Sequence, residues 1–107
     1  PENCFIPPLE AWESAITKKT RAIVINYPAN PTGAYPSREY LNQLHKFAAE
    51  NNLWVVSDEV YQNLVFNGQK SESLGAVIGD VPGISMKGIS KELPWPGSRP
   101  RNVFWRR

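Results

Sequence analysis

Apolar residues recur at helical spacing in two segments of the chain, and these segments predict two amphipathic helices. The first covers residues 9–17 and the second residues 37–51, where Ser37 is a suitable N-cap and the apolar stripe extends over about four turns. The stripes consist of Leu9, Trp12 and Ile16 in the first helix and of Leu41, Leu44, Phe47 and Ala48 in the second. His45 lies beside the second stripe and is expected at the surface or its rim, since no ligand set or catalytic partner stands near it in sequence.

Two short continuous apolar runs, at residues 22–25 and 53–56, have the pattern of strands that are covered on both faces. The predicted order of strand, helix and strand is that of a right-handed βαβ crossover in a parallel sheet. A third short strand is predicted around residues 83–86, and a fourth at residues 102–105. The expected fold class is therefore α/β, with a mostly parallel sheet of three or four strands.

Polar and charged motifs follow the predicted parallel strands. They read NYPANPTG at residues 26–33, SDEVY at residues 57–61 and KGISK at residues 87–91. Taken one at a time they are weak signals, because Asp58 would usually form a cap or turn and Lys91 would usually be a solvated surface residue. In parallel sheets, however, ligands bind beyond the carboxyl ends of the strands, so all three motifs are expected at one crevice.

The composition narrows the class of protein. The chain has 107 residues with 41% hydrophobic content and a net charge of +2, which suits one domain at most and argues for neither nucleic acid nor membranes as partners. Four arginines among the last nine residues are interpreted as a solvated tail rather than a nucleic-acid patch, since no repeated stacking platforms are interleaved with them. The single Cys4, a buried small residue or an exposed thiol, fits a reducing compartment, and a cytoplasmic location is expected.

Taken in order, the three motifs resemble those of the class I and II aminotransferases, the fold-type I enzymes that depend on pyridoxal phosphate. The matching patterns are N-x-P-x-N-P-T-G, S/C-D-E-x-Y, and a Ser-Lys pair, Ser90 and Lys91, with Arg99 eight residues after the lysine. The resemblance spans nearly all of residues 9–99 and implies the large cofactor domain, a three-layer αβα structure, with pyridoxal 5'-phosphate as cofactor.

The resemblance also implies roles for individual residues. Lys91 would form a Schiff base with the cofactor aldehyde and move the substrate's α-proton, which requires a neutral amine. Asp58 would pair with the pyridine nitrogen and keep it protonated. Tyr61 and Asn30 would donate hydrogen bonds to the phenolic oxygen, although a packed tyrosine and a turn-forming asparagine remain alternatives.

Arg99 would hold the cofactor phosphate, and Ser90 would add a hydroxyl donor. Many family members have a further serine where this chain has Gly88, so one phosphate contact is expected to be missing or replaced by a backbone N–H. Glu59 is expected to point away from Asp58, because side chains alternate in an extended segment, and to serve in structural pairing. The peptide between Asn30 and Pro31 is expected to be cis, as it often is in the family.

Several parts of the family pattern have no counterpart in the chain, among them a glycine-rich phosphate loop and a late arginine for the substrate carboxylate. Residues 1–107 are therefore expected to form a partial large domain, incomplete at both ends and inactive alone. The parent activity would be amino-group transfer between an amino acid and a 2-oxo acid, by a homodimer in the full-length form. A non-catalytic remnant and the aminotransferase-like domain of a transcription regulator remain alternatives, as do related chemistries such as β-elimination.

Overall fold

The chain folds into a four-stranded sheet with helices on one face. The computed structural model describes residues 4–66, 68, 70–77, 79–88, 91 and 101–106. The helices are α1 (Leu9–Ala15) and α2 (Arg38–Glu50), the strands are β1 (Ala22–Asn26), β2 (Trp54–Asp58), β3 (Gly83–Gly88) and β4 (Arg101–Arg106), and a short 3-10 turn covers Leu74–Ala76. The strand order is β1-β2-β3-β4, in which the first three strands are parallel and β4 is antiparallel to β3. The predicted α/β class and mostly parallel sheet are confirmed.

The parallel register brings the ends of three strands together. Asn26 at the end of β1 lies beside Asp58 at the end of β2, and Asp58 lies beside Met86 in β3. Helix α2 forms the crossover between β1 and β2, as the strand, helix and strand order predicts. The segments that follow β1, β2 and β3 therefore start from one edge of the sheet.

Helix α2 begins where the sequence predicts it and buries the predicted stripe. The Ser37 hydroxyl accepts a hydrogen bond of 3.2 Å from the backbone N–H of Tyr40, which satisfies one of the free donors of the first turn. All four predicted apolar positions of the helix are buried. Within the described part of the chain, neither helix is long and apolar enough to cross a membrane.

His45 is buried, and its expected position at the surface or rim is wrong. Its side chain is only 5% exposed, and its Nδ1 lies 2.8 Å from the carbonyl oxygen of Val77. The segment at residues 74–77 packs beside α2, with Leu74 in the core and Val77 against it. This segment covers the side of α2 that carries His45, which helical spacing alone places at the edge of the apolar stripe. Burial lowers the pKa of the His45 imidazole below its ordinary value of 6.5, and the hydrogen bond to Val77 offsets only part of that effect.

The helices cover one face of the sheet and leave the other face open. The apolar runs of β1 and β2 predict strands that are buried on both faces, and within the described residues only one face is buried. Ile25 and Val55 are 4% and 0% exposed on the covered face, whereas Val24 and Trp54 are 66% and 37% exposed on the other. The reason is that apolar residues of α1 pack against the same core as α2. Asp58, by alternation with buried Ser57, belongs to the open face.

Candidate functional site

The loop that follows β1 is fixed to the end of β2 through Asn26. The Asn26 side-chain amide donates to the carbonyl oxygen of Asp58 at 3.3 Å, and its Oδ1 accepts from the backbone N–H of Asn30 at 3.4 Å. The backbone N–H of Tyr27 also donates to the Asp58 carbonyl, at 3.3 Å. The sequence interpretation gave Asn26 no role, although it is the first residue of the loop motif and the register pairs it with Asp58.

The same loop turns back on itself before α2. Ala29 and Ala34 are joined by a backbone hydrogen bond of 2.8 Å, and the N–H of Gly33 donates to the Ala29 carbonyl at 2.8 Å. Gly33 has a φ of +70°, a left-handed conformation that glycine adopts without steric cost. The Asn30–Pro31 peptide is cis, which confirms that expectation, and the Tyr27–Pro28 peptide is cis as well.

A tight turn after β2 sets the direction of the next side chains. One carboxylate oxygen of Asp58 accepts a hydrogen bond of 3.2 Å from the backbone N–H of Val60, and Gln62 N–H donates to the Glu59 carbonyl at 3.0 Å. This bond between Asp58 and a backbone group two residues on is typical of an aspartate turn. The chain leaves the sheet at this turn, and Tyr61 lies within it.

Three of the predicted site residues come together at this edge of the sheet. The Asn30 amide donates a hydrogen bond of 3.0 Å to the hydroxyl of Tyr61, which is 31 positions away in sequence. The Nζ of Lys91 lies 5.8 Å from the centroid of the Tyr61 ring, within the range of a cation–π contact. Asn30 and Lys91 are exposed, and Tyr61 is half-buried.

An open cleft of about 320 Å³ lies beside this group. It is lined by Pro28, Ala29, Asn30, Pro31, Gly33, Tyr61 and Leu64. Two of these lining residues, Asn30 and Tyr61, carry side-chain groups that can donate hydrogen bonds to an oxygen of a bound molecule. The cleft is therefore suited to a ligand that carries an acceptor oxygen, and the Lys91 amine lies 5.8 Å from the ring centroid of one of its lining residues, Tyr61.

Glu59, the second acid of the motif, is directed away from the cleft, as alternation predicts. It is 2% exposed, and its carboxylate accepts hydrogen bonds from Ser73 Oγ at 2.8 Å and from the backbone N–H of Leu74 at 2.7 Å. The Nζ of Lys87 lies 3.6 Å from the same carboxylate. Sequence reasoning missed Ser73 and Lys87 as its partners, because they come from two other segments of the chain.

Two predicted residues, Ser90 and Arg99, lie outside the described residues. Gly88, which replaces a serine of the family pattern, ends β3. A Cβ atom added at Gly88 would lie 3.5 Å from Val60, an ordinary van der Waals contact.

Comparison with known proteins gives a consistent result. The family model described as "Aminotransferase class I and II" matches residues 2–100. An uncharacterised aminotransferase of Methanocaldococcus jannaschii is 45% identical over 92% of the chain, and an aspartate aminotransferase of a Bacillus species is 41% identical over 84%. The crystal structure of an aminotransferase from Escherichia coli superimposes with a TM-score of 0.92 over 98% of the chain, at 30% identity. The chain spans 23%, 24% and 26% of the lengths of these three proteins.

Proposed function

The chain belongs to the class I and II aminotransferases, and from that premise we propose that residues 1–107 form the central part of a binding site for pyridoxal 5'-phosphate. The enzyme that contains this site would transfer an amino group between an amino acid and a 2-oxo acid. The observation that carries the proposal is the group formed by Asn30, Tyr61 and Lys91, in which the Asn30–Tyr61 hydrogen bond is 3.0 Å long. Its members come from three separate segments that follow parallel strands.

The chemistry of these side chains fits the cofactor. Pyridoxal phosphate carries an aldehyde, a phenolic oxygen and a ring nitrogen, and the site offers a primary amine, two neutral donors and a carboxylate at one sheet edge. When bound, the cofactor supplies an electron sink for the bond that breaks at the substrate's α-carbon. Every other task at the site belongs to residues of the protein.

Lys91 would attach the cofactor through its amine. Its Nζ is exposed and lies over the Tyr61 ring, so it is accessible from the open side of the sheet edge. Once displaced by the substrate's own amine, Lys91 would act as a general base and carry the proton from the substrate's α-carbon.

Asp58 would hold the ring nitrogen in its protonated form. It stands between the ends of β1 and β3, and its carboxylate is oriented by the hydrogen bond from Val60 N–H. An anion next to a ring nitrogen favours the cationic form of the ring. The side chain is half-buried, which reduces screening of this interaction by water.

Asn30 and Tyr61 would donate to the phenolic oxygen. In the structure the Asn30 amide donates to the Tyr61 hydroxyl, which leaves the hydroxyl proton available for another acceptor. Ser90 and Arg99 are proposed as phosphate ligands on the family resemblance, because a guanidinium fork matches a phosphate dianion. A homodimeric full-length form is proposed on the same resemblance.

Covalent trapping tests the proposal in the chain itself. The purified chain is mixed with pyridoxal phosphate, reduced with borohydride, digested and mapped by mass spectrometry. We expect the main adduct on Lys91, and the Lys91→Arg variant should lose it while the chain remains folded. Reduction makes the bond permanent, so the experiment detects even a weakly held cofactor. A main adduct on Lys87, or equal labelling of all lysines, would contradict the assignment.

A further inference from the structure

The two neighbouring acids of residues 57–61 lie on opposite sides of the sheet. Along β2, Val55 and Ser57 are buried on the helix-covered face, and Glu59 continues this set at 2% exposure. Along β3, Lys87 belongs to the same face as buried Ser85. Asp58 belongs to the other face. Asp58 therefore lies on the side of the proposed cofactor site, and Glu59 lies on the opposite, helix-covered side of the sheet.

The buried acid joins three segments of the chain. Its carboxylate accepts hydrogen bonds from Ser73 and Leu74, at the start of the 3-10 turn, and pairs with Lys87 at 3.6 Å. Its backbone N–H donates to the Met86 carbonyl at 2.8 Å, which extends the ladder between β2 and β3. We call Glu59, Ser73, Leu74 and Lys87 the Glu59 clamp. Because a buried carboxylate is stable only with such partners, the three segments are held in one relative position.

Two of the three segments joined by the Glu59 clamp lead to proposed cofactor residues. Asp58 and Tyr61 stand within two positions of Glu59, and Lys91 stands four positions after Lys87. We propose that Glu59 is a positioning residue that sets the location of the Lys91 amine relative to Asp58 and Tyr61 without touching cofactor or substrate itself. This inference rests on the proposed function.

Positioning matters here because amine attack on an aldehyde depends steeply on the distance and angle of approach. A displacement of about 1 Å of a reacting group costs up to about a hundredfold in rate. The contact between Lys87 and Glu59 is the side-chain link of the clamp to the strand that leads to Lys91. Loss of this link is therefore expected to slow the reaction of Lys91 more than it disturbs the fold.

The experiment compares two variants that both remove Lys87. Lys87→Arg keeps a cation that can pair with Glu59, whereas Lys87→Met fills similar space without charge. Lys87 is 36% exposed, so neither change opens a core cavity, and in both variants Glu59 keeps its bonds from Ser73 and Leu74. The measured quantity is the rate at which pyridoxal phosphate and borohydride label Lys91 in the 107-residue chain. We expect Lys87→Arg to label like the wild type and Lys87→Met to label about tenfold more slowly.

Glu59→Gln provides the reciprocal change. Labelling of Lys91 should slow by about the same factor as in Lys87→Met. The double variant E59Q/K87M should label no more slowly than either single variant, because each single change already removes the same contact between Lys87 and Glu59. Glu72→Gln is the matched control, since Glu72 directly precedes Ser73 but pairs at 3.8 Å with Arg38 at the surface. This control should label like the wild type.

The outcomes separate this inference from the function on which it rests. If the wild-type chain gives no preferred adduct on Lys91, the proposed function and the positioning role fall together. If the wild type labels at Lys91, and folded Lys87→Met labels it as fast as Lys87→Arg, the function stands and the positioning role is overturned. Should Glu59→Gln fail to fold, the pair of Lys87 variants still decides the question.

Discussion

Asp58 and Glu59 are identical in charge and adjacent in sequence, yet the fold gives them different environments. Side-chain alternation at the end of β2 directs Asp58 to the open face and Glu59 to the face covered by helices. Asp58 accepts a backbone hydrogen bond inside its own turn, whereas Glu59 accepts hydrogen bonds from residues 14 and 15 positions away. One acid is thereby available to a ligand and the other is committed to the structure.

At this scale we predict the effect of removing the exposed carboxylate. In a full-length aminotransferase that contains this segment, Asp58→Ala should leave the cofactor attached to Lys91 while transamination falls by about a hundredfold or more, because the ring nitrogen loses its anionic partner. Cofactor content is measured by absorbance and turnover by a coupled assay. Glu13→Ala, at an exposed position of α1, serves as control. Near-normal turnover in Asp58→Ala would show that another residue holds the ring.

At the scale of elements, α2 and the segment at residues 74–77 depend on each other. The His45 imidazole must carry its proton on Nδ1 to donate to the Val77 carbonyl, 2.8 Å away. Within the described part of the chain, the buried Nε2 has no hydrogen-bond partner. A second proton on the ring would therefore be placed where no described acceptor receives it, which agrees with the lowered pKa of His45.

This contact predicts a pH dependence of stability. The pKa of His45 in the folded chain is below its ordinary 6.5, so just below pH 6.5 the unfolded chain binds a proton that the folded chain does not. The free energy of unfolding should therefore be highest above pH 6.5, and it should fall as the pH decreases below 6.5. Urea unfolding at several pH values across this range measures how steeply the free energy of unfolding changes with pH. The His45→Gln variant should show a smaller slope. An equal slope in both proteins would rule out His45 as its source.

At the scale of the whole molecule, one face of the sheet and its edges determine how the chain behaves. The open face and its surroundings expose Val24, Val103 and Trp105 at 66%, 57% and 68%. Within the described sheet, β1 and β4 are the edge strands and present unpaired backbone groups. Such surfaces favour association with another sheet or another copy.

We therefore predict that the 107-residue chain, produced alone, self-associates and shows no transamination. Sedimentation should detect species larger than a monomer, and Val24→Lys combined with Val103→Lys should shift the distribution toward the monomer by placing charge on the open face. An assay with a panel of amino acids and 2-oxoglutarate measures activity. Clear turnover by a monodisperse monomer would overturn this prediction.

Local pattern was sufficient to predict the helices and the parallel strands. The helical spacing of α2, the Ser37 cap and the apolar runs of β1 and β2 depend on interactions within a few residues, and each is found where the sequence predicts it. Asn30, Asp58, Tyr61 and Lys91 were selected through the family resemblance of their motifs, and the parallel strands that precede these motifs place them at one edge of the sheet. The roles of all the candidate site residues, Ser90 and Arg99 among them, remain predictions.

Other features arise from contacts between distant segments, which no local pattern contains. His45 is buried because residues 74–77 pack over it, and Glu59 finds its partners in that segment and in β3. The hydrogen bond between Asn30 and Tyr61 crosses 31 positions. The sequence alone determined where each strand ends and which residues follow it, since these depend on periodicity and turn chemistry. The partners that each side chain meets across the fold could be read only from the structure, because they depend on how the crossovers stack distant segments in space.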